Sequence, residues 1–310
     1  MKYSNDLRAL ADIVHNLNRA ENETYFVDKC QKLYSALESI WGLYIEDAIS
    51  KSKLSEWAQR QFQQGKLSIN NKFSETVNSL LTYQGKKSII ESKAFKEIIH
   101  FTPRIMSDAI LESKRYNPEN ISTELRQEAS ATHNKLIESY NYPNRKPDII
   151  ITYLCKLLYE IRSNMMHCGK TPYGPDLDKS KRDEEICKLI YPTLLNIIDF
   201  LLEKPNNKLI LYGTLKEGQP NASLIDNLRI IREMINIFGF IEIENGLPYY
   251  TFSISNPRNE IEAELIINES LTNAFDRIDS FEGTKYKRIK VPYKIGEEYG
   301  IGHIYEKNGV

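Results

Sequence analysis

Two periodicities meet at Lys204-Pro205-Asn206-Asn207. Before this short linker, apolar residues recur at steps of three and four, the spacing of a buried helix face. After it they come in short runs and alternations, the spacing of strands. No single packed layer accommodates both patterns. The chain is therefore expected to form an all-helical domain over 1–206 and a mixed α+β domain over 207–310. Its 310 residues suit roughly two domains.

In the first part, Leu33, Leu37, Ile40, Leu43 and Ile45 mark a helix over Val27–Ile49. Thr102-Pro103, Asn117-Pro118 and Tyr142–Pro147 break the pattern. Asp148 reads as an N-cap. The following helix carries Ile151, Leu154, Leu158, Ile161 and Met165 on one face and ends near His167-Cys168, before Gly169. Asp183 is expected to open the last helix. Its buried side would hold Ile186, Leu189, Ile190, Leu194, Ile197, Ile198 and Leu201, with Pro192 kinking it. In the second part, strands are expected at Lys208–Tyr212, Phe240–Glu244, Tyr249–Ser253, Ile261–Ile267, Arg288–Tyr293 and Ile301–Tyr305. Asn245-Gly246 signals a hairpin. Ser223–Phe238 and Leu271–Ile278 read as helices.

Composition excludes several classes. No stretch approaches the ~20 apolar residues of a membrane span, and Met1–Asp6 is followed by no signal-peptide core. The expectation is a cytoplasmic protein without membrane contact. Cys30, Cys155, Cys168 and Cys187 match no zinc spacing, and the histidines pair on no helix face, so neither metal nor cofactor is expected. Net charge is −1, with 12 Lys and Arg against 15 Asp and Glu in 208–310. Any contact with nucleic acid must come from a local patch. The basic run Lys285–Lys290 reads as a solvated strand face.

Two constellations carry chemistry. In the first, a buried strand runs into Tyr212-Gly213-Thr214-Leu215, where successive N–H groups can form a nest for a carboxylate or oxyanion. Asp279 and Glu282 lie three apart on the last turn of a helix. There the helix dipole and their mutual repulsion raise pKa values toward those of a working acid. Tyr212–Leu215, Gly218 with Asn221, Gly246-Leu247-Pro248-Tyr249, Ile278-Asp279 with Glu282-Gly283, and Tyr286 with Arg288 together resemble the γ-glutamylcyclotransferase family. The resemblance covers about a third of the chain. It implies a small mixed β-barrel that needs no metal or cofactor. Glu282 would be the catalytic acid/base, and Tyr212, Gly213, Thr214, Leu215, Asn221, Tyr286 and Arg288 would bind a γ-glutamyl small molecule. Thr214 stands where Ser is also common, the Ser223–Phe238 helix stands where relatives run a strand, and Glu262–Leu265 lacks a Gly before its Glu-Leu pair.

In the second, Arg162 and His167 frame Ser163-Asn164-Met165-Met166 at a helix end, ahead of Lys170. A His moves protons near neutral pH and an Arg holds a scissile phosphate, which suits RNA cleavage without metal. With the amphipathic helix before it and Arg182-Asp183 after it, the pattern resembles the HEPN superfamily over about 148–203. That resemblance implies a helical bundle, a homodimer with two Arg/His sets in one cleft, and a toxin or anti-phage ribonuclease. Arg162 and His167 would be catalytic, with Asn164 and Lys170 binding RNA. Three functions follow: a HEPN-type endoribonuclease with a regulatory or second catalytic barrel; a γ-glutamyl(amine) cyclotransferase releasing 5-oxoproline, with a helical dimerisation module; or a non-catalytic, antitoxin-like binding protein. The intact Arg162/His167 pair favours the first.

Overall fold

The structure is a computed structural model that describes residues 7–50, 69–113, 122–167, 177–225, 231–253 and 260–308. The chain divides into two compact units, Arg19–Leu201 and a second made of Leu202–Val310 with Met1–Asn18. Among the described residues, no helix is long and apolar enough to cross a membrane.

The first 201 residues hold helices α1 (Leu7–Asn22), α2 (Phe26–Ser50), α3 (Ile69–Leu80), α4 (Tyr83–Glu91), α5 (Lys93–His100), α6 (Pro103–Ser113), α7 (Thr123–Asn141), α8 (Pro147–His167) and α9 (Leu177–Leu201). Within the helical unit α2 packs on α9, α3 on α8, and α7 on both α6 and α8. The expected stripe of α8 is buried in full: Ile151, Leu154, Leu158, Ile161 and Met165 are all at most 5% exposed. The N-terminus of α2 is closed from a distance, because Phe26 N and Val27 N donate to the two carboxylate oxygens of Glu184 at 2.7 and 3.0 Å. A carboxylate there satisfies two open N–H groups and the positive end of the helix dipole. Cys30, Cys155 and Cys187 are buried thiols.

Two helix starts differ from expectation. Asp148 is not the N-cap of α8. Pro147 takes the first helical position, where its missing N–H costs nothing, and the Lys146 carbonyl accepts from Ile149 N and Ile150 N. Asp148 sits in the first turn and pairs with Lys86 Nζ. Helix α9 opens at Leu177, six residues before Asp183, and Pro192 lies inside it.

The second unit contains β1 (Lys208–Leu211), β2 (Ile231–Glu244), β3 (Leu247–Phe252), β4 (Glu260–Ile267), α10 (Leu271–Glu282), β5 (Tyr286–Ile295) and β6 (Glu298–Lys307). The strand order is β3-β2-β4-β1-β6-β5, and β2 also pairs with β5 through Asn236↔Lys294 and Ile237↔Tyr293. The sheet thus closes on itself as a ring of β2, β4, β1, β6 and β5, with β3 extending from the far half of β2. Among the described strands, only β1 and β6 run parallel. Alternation divides the apolar residues between two cores. Ile210, Ile235, Ile237, Leu265, Val291 and Ile304 belong to one cluster, and Leu209, Leu211, Ile266 and Tyr305 to the other, where α10 packs through Phe275 and Ile278.

The expected helix over Ser223–Phe238 is instead a short 3-10 turn at Ala222–Leu224 and, from Ile231, the first half of β2. Pairing with β4 at every position from Ile231↔Ile267 to Phe238↔Glu260 settles the conformation. The expected hairpin is present, with Asn245 and Gly246 both at positive φ between β2 and β3. The run Lys285–Lys290 is not a uniformly solvated face. Lys290 is 3% exposed. Its backbone N–H and carbonyl both bond to the Asn18 side-chain amide, at 2.8 and 2.9 Å.

Candidate active site

Strand β1 ends at Leu211, and the chain turns through Tyr212–Asn221 above the barrel wall. The turn is tied to itself. Lys216 N donates to Gly213 O, Asn221 N to Thr214 O, and Asn221 Nδ2 to Thr214 Oγ1, at 3.0–3.1 Å. It is also tied to the sheet, because Glu217 N donates to both carboxylate oxygens of the buried Glu264 on β4, at 3.2 and 3.1 Å. Arg232 on β2 lies within 3.8 Å of the same carboxylate. Among the described residues, no acceptor takes the N–H of Gly213, Thr214 or Leu215. Held in this way, a row of N–H groups is preorganised for negative charge.

Facing the turn is Glu282, the last residue of α10. Gly283 ends that helix at φ +62°, a conformation in which a glycine avoids the Cβ clash, and its N–H donates to Asp279 O. Glu282, Tyr212, Gly213, Thr214, Leu215, Pro248, Tyr286 and Tyr305 line one cavity of about 40 Å³. Burial pushes the Glu282 carboxyl up to about 7, because the charged form loses hydration there. Asp279 is not the cause of that shift. One turn earlier on α10, its carboxylate accepts from Arg288 Nε and Nη2, both at 3.1 Å, and from the Tyr305 hydroxyl at 2.5 Å. One carboxylate thus ties α10 to β5 and β6, and the other faces the cavity.

The tyrosines form the walls. The Tyr212 hydroxyl donates to Tyr305 O at 2.8 Å and accepts from Tyr250 N at 3.3 Å. The Tyr286 hydroxyl donates to Pro248 O at 3.0 Å, and its ring stacks on Tyr249 with centroids 5.1 Å apart. Burial raises the Tyr212 and Tyr305 hydroxyls above the ordinary tyrosine range, so both stay protonated at neutral pH.

Of the residues expected in this site, Tyr212, Gly213, Thr214, Leu215, Tyr286 and Glu282 come together around the cavity. Asn221 stands behind the turn and braces Thr214. Arg288 lies outside the lining, paired with Asp279 and stacked at 4.0 Å over the Phe275 ring. Sequence reasoning assigned no role to Glu264 or Tyr305. An acid directly between Ala263 and Leu265, at the buried end of β4, was the available signal for Glu264.

The other constellation is placed only in part. Arg162 on α8 bonds to the Glu38 carboxylate of α2, within the helical unit. His167 is the last residue of α8, but its side chain and that of Asn164 lie outside the described residues, as does Lys170.

The second unit is thus a closed barrel in which the Tyr212–Leu215 turn faces Glu282 across one cavity. Residues 209–309 match the family model described as gamma-glutamyl cyclotransferase, AIG2-like, and form a domain of that type. Two solved structures are similar to this third of the chain. One is the uncharacterized protein PH0828 from Pyrococcus horikoshii, with 22% identity, 33% of this chain and 79% of that chain covered, and a TM-score of 0.27. The other is YkqA from Bacillus subtilis, with 24% identity, 33% and 36% covered, and a TM-score of 0.29. The chain thus spans little more than a third of the Bacillus protein. No curated protein matches the chain.

Proposed function

We propose that the barrel catalyses cyclisation of a γ-glutamyl group, releasing 5-oxoproline and an amine. The observation that carries this reading is Glu282, a carboxyl raised to about 7 by burial and set across a small cavity from the N–H groups of Gly213–Leu215, which no described residue accepts. A γ-glutamyl compound enters with its α-amine protonated. Ionised Glu282 takes one proton from it. The freed amine nitrogen then attacks the γ-carbonyl carbon, closing a five-membered ring, while the carbonyl oxygen becomes an oxyanion facing the turn. As that oxyanion collapses, the bond to the departing nitrogen breaks, and Glu282 returns its proton to that nitrogen. The second proton of the attacking amine leaves as the ring forms. It ends on the released amine, so an α-ammonium amide becomes 5-oxoproline and an ammonium product. A group with a pKa near the working pH suits both halves of this exchange.

The reading is tested by following 5-oxoproline release from γ-glutamyl amines and γ-glutamyl amino acids across pH 5–8. The base must be ionised, so kcat/KM is expected to climb with pH and level off above about 7. A protein that releases no 5-oxoproline from either class, or a rate flat from pH 5 to 8, overturns it.

For the helical unit the second reading is metal-independent RNA cleavage by Arg162 and His167 in a homodimer, and it rests on the sequence pattern. The helical conformation of α8 through His167 is compatible with it. It predicts RNA degradation in EDTA that is lost in His167→Ala. Equal degradation by both proteins removes it.

A further inference from the structure

The loop after β1 consists of two linked reverse turns. Lys216 N donates to Gly213 O and Gln219 N to Lys216 O, both at 3.1 Å, and Gly218 takes φ +75°. Glu217 stands where the two turns meet. Among the described residues 213–221, the Glu217 N–H is the one backbone group hydrogen-bonded to the sheet, and it ends on both carboxylate oxygens of Glu264. The first turn is closed by the Lys216–Gly213 bond. A shift at Glu217 is therefore passed on to the N–H groups of Gly213, Thr214 and Leu215.

Packing does not ask for an acid at position 264. Glu264 lies opposite Leu211 in the β1–β4 register, so the two side chains share a face. Leu209, Leu211 and Ile266 on that face belong to the apolar cluster under α10. An aliphatic residue would fit there, whereas a buried carboxylate gives up hydration and must recover it from partners. The partners of Glu264 are the Glu217 N–H and Arg232 Nη1, the latter at 3.8 Å. Arg232 Nη1 also stands 3.4 Å from the Glu217 carboxylate. The three residues form a closed set that joins the middle of the loop to β4 and β2.

We propose that Glu264 is a positioning residue for cyclisation: it fixes the place of the Gly213–Leu215 N–H row over the cavity, and through it the stabilisation of the oxyanion, without touching substrate. This rests on the cyclisation reading given above. Oxyanion donors act from about 2.7–3.1 Å, so a turn released from β4 holds substrate but stabilises the developing charge poorly.

Glu264→Leu and Glu264→Gln in the full chain test it, with γ-glutamyl amines and γ-glutamyl amino acids as substrates. Leucine removes both acceptors and suits its apolar neighbours. Its kcat for 5-oxoproline release is expected to fall about a hundredfold, the effect of an ångström of misplacement or of one lost oxyanion donor. KM should hold, as it does when an interaction made only in the transition state is removed. The pH midpoint of kcat/KM should stay near 7, because Glu282 is untouched. Glutamine keeps one acceptor oxygen but sets a donor against the Glu217 N–H or Arg232, so its loss should be smaller, about tenfold. Glutamine also carries the test if the leucine variant does not fold. Amide exchange reads the loop without reference to activity: Glu217 N–H should exchange about tenfold faster or more in Glu264→Leu, with shifted resonances at Gly213–Leu215. A folded variant with full kcat, or loop amides that do not move, overturns the proposal. An unsubstituted chain that releases no 5-oxoproline overturns the cyclisation reading and the catalytic part of this one, while the amides still decide whether Glu264 holds the loop.

Discussion

Replacing Glu282 by Gln is expected to lower kcat for 5-oxoproline release by about a hundredfold to ten-thousandfold, the usual contribution of a positioned proton-transfer group. KM should change little, because Gln keeps the shape of the cavity wall and the Gly213–Leu215 turn is untouched. The same substitution should have an opposite effect on stability. The folded carboxyl keeps its proton up to about pH 7, against 4.5 in an unperturbed chain. Stability tied to this group is therefore full below pH 4.5 and is lost as pH rises through 7, where folding must hold a buried charge. Gln carries no charge to bury. Above pH 7 the variant should gain on the unaltered protein by roughly 1 kcal/mol, a figure reduced from the full linkage value because Glu282 is partly solvated. Urea unfolding at pH 5 and pH 8, with steady-state kinetics on the same samples, measures both effects. An unchanged kcat, or an equal stability difference at the two pH values, contradicts this assignment.

Gly239→Ala should give the largest loss of stability. Gly239 is the point where β2 leaves β4 and begins to pair with β3, and its φ is +150°. A Cβ there would stand 2.2 Å from the Thr251 carbonyl oxygen and 3.0 Å from the Tyr250 ring. The Thr251 oxygen is backbone in the partner strand and cannot swing aside. Tyr250 is wholly buried, with its hydroxyl bonded to Phe238 O at 2.6 Å. Backbone strain and a displaced strand together should cost about 3 kcal/mol or more. Native-state hydrogen exchange at the β2 and β3 amides reads this effect in the two strands themselves. Protection within about 0.5 kcal/mol of the unsubstituted chain would mean that β2 and β3 can separate without loss.

How far these features were legible in the sequence depended on whether the deciding contact was local. The Asn245-Gly246 hairpin and the stripe of α8 rest on neighbours in sequence, and both were readable. Segment 231–238 was not. Ile231, Met234, Ile235 and Phe238 fall at helical steps, yet Ile231 and Met234 are 60% and 52% exposed, while Ile235 and Ile237 are buried. Strand pairing with β4 overrode the apparent period, as tertiary context commonly does.

The site shows the same division. The Tyr212–Leu215 turn and Glu282 carry their chemistry in local spacing and end on one cavity. Tyr286 and Arg288, two apart on a strand, read as a pair. Only Tyr286 lines the cavity, because Arg288 meets Asp279 across the sequence. Repulsion between Asp279 and Glu282 was a reasonable source for a raised pKa in the sequence, but in the fold Arg288 and Tyr305 occupy Asp279 and burial alone acts on Glu282. Glu264 was invisible for a related reason. One of three alternating glutamates in β4, it gains its meaning only when the Glu217 N–H arrives from another segment.

In the proposed reaction Glu282 exchanges a proton near neutral pH because the barrel buries it opposite the Tyr212–Leu215 turn. The most direct test is the pH titration of the Glu282 side-chain carbon by NMR in the full chain, with the resonance assigned by its absence in Glu282→Gln. A midpoint near 7 is the expected result. A midpoint near 4.5, the value of an ordinary solvated glutamate, would leave the carboxyl fully ionised at neutral pH and remove it as the group that both takes and returns the proton.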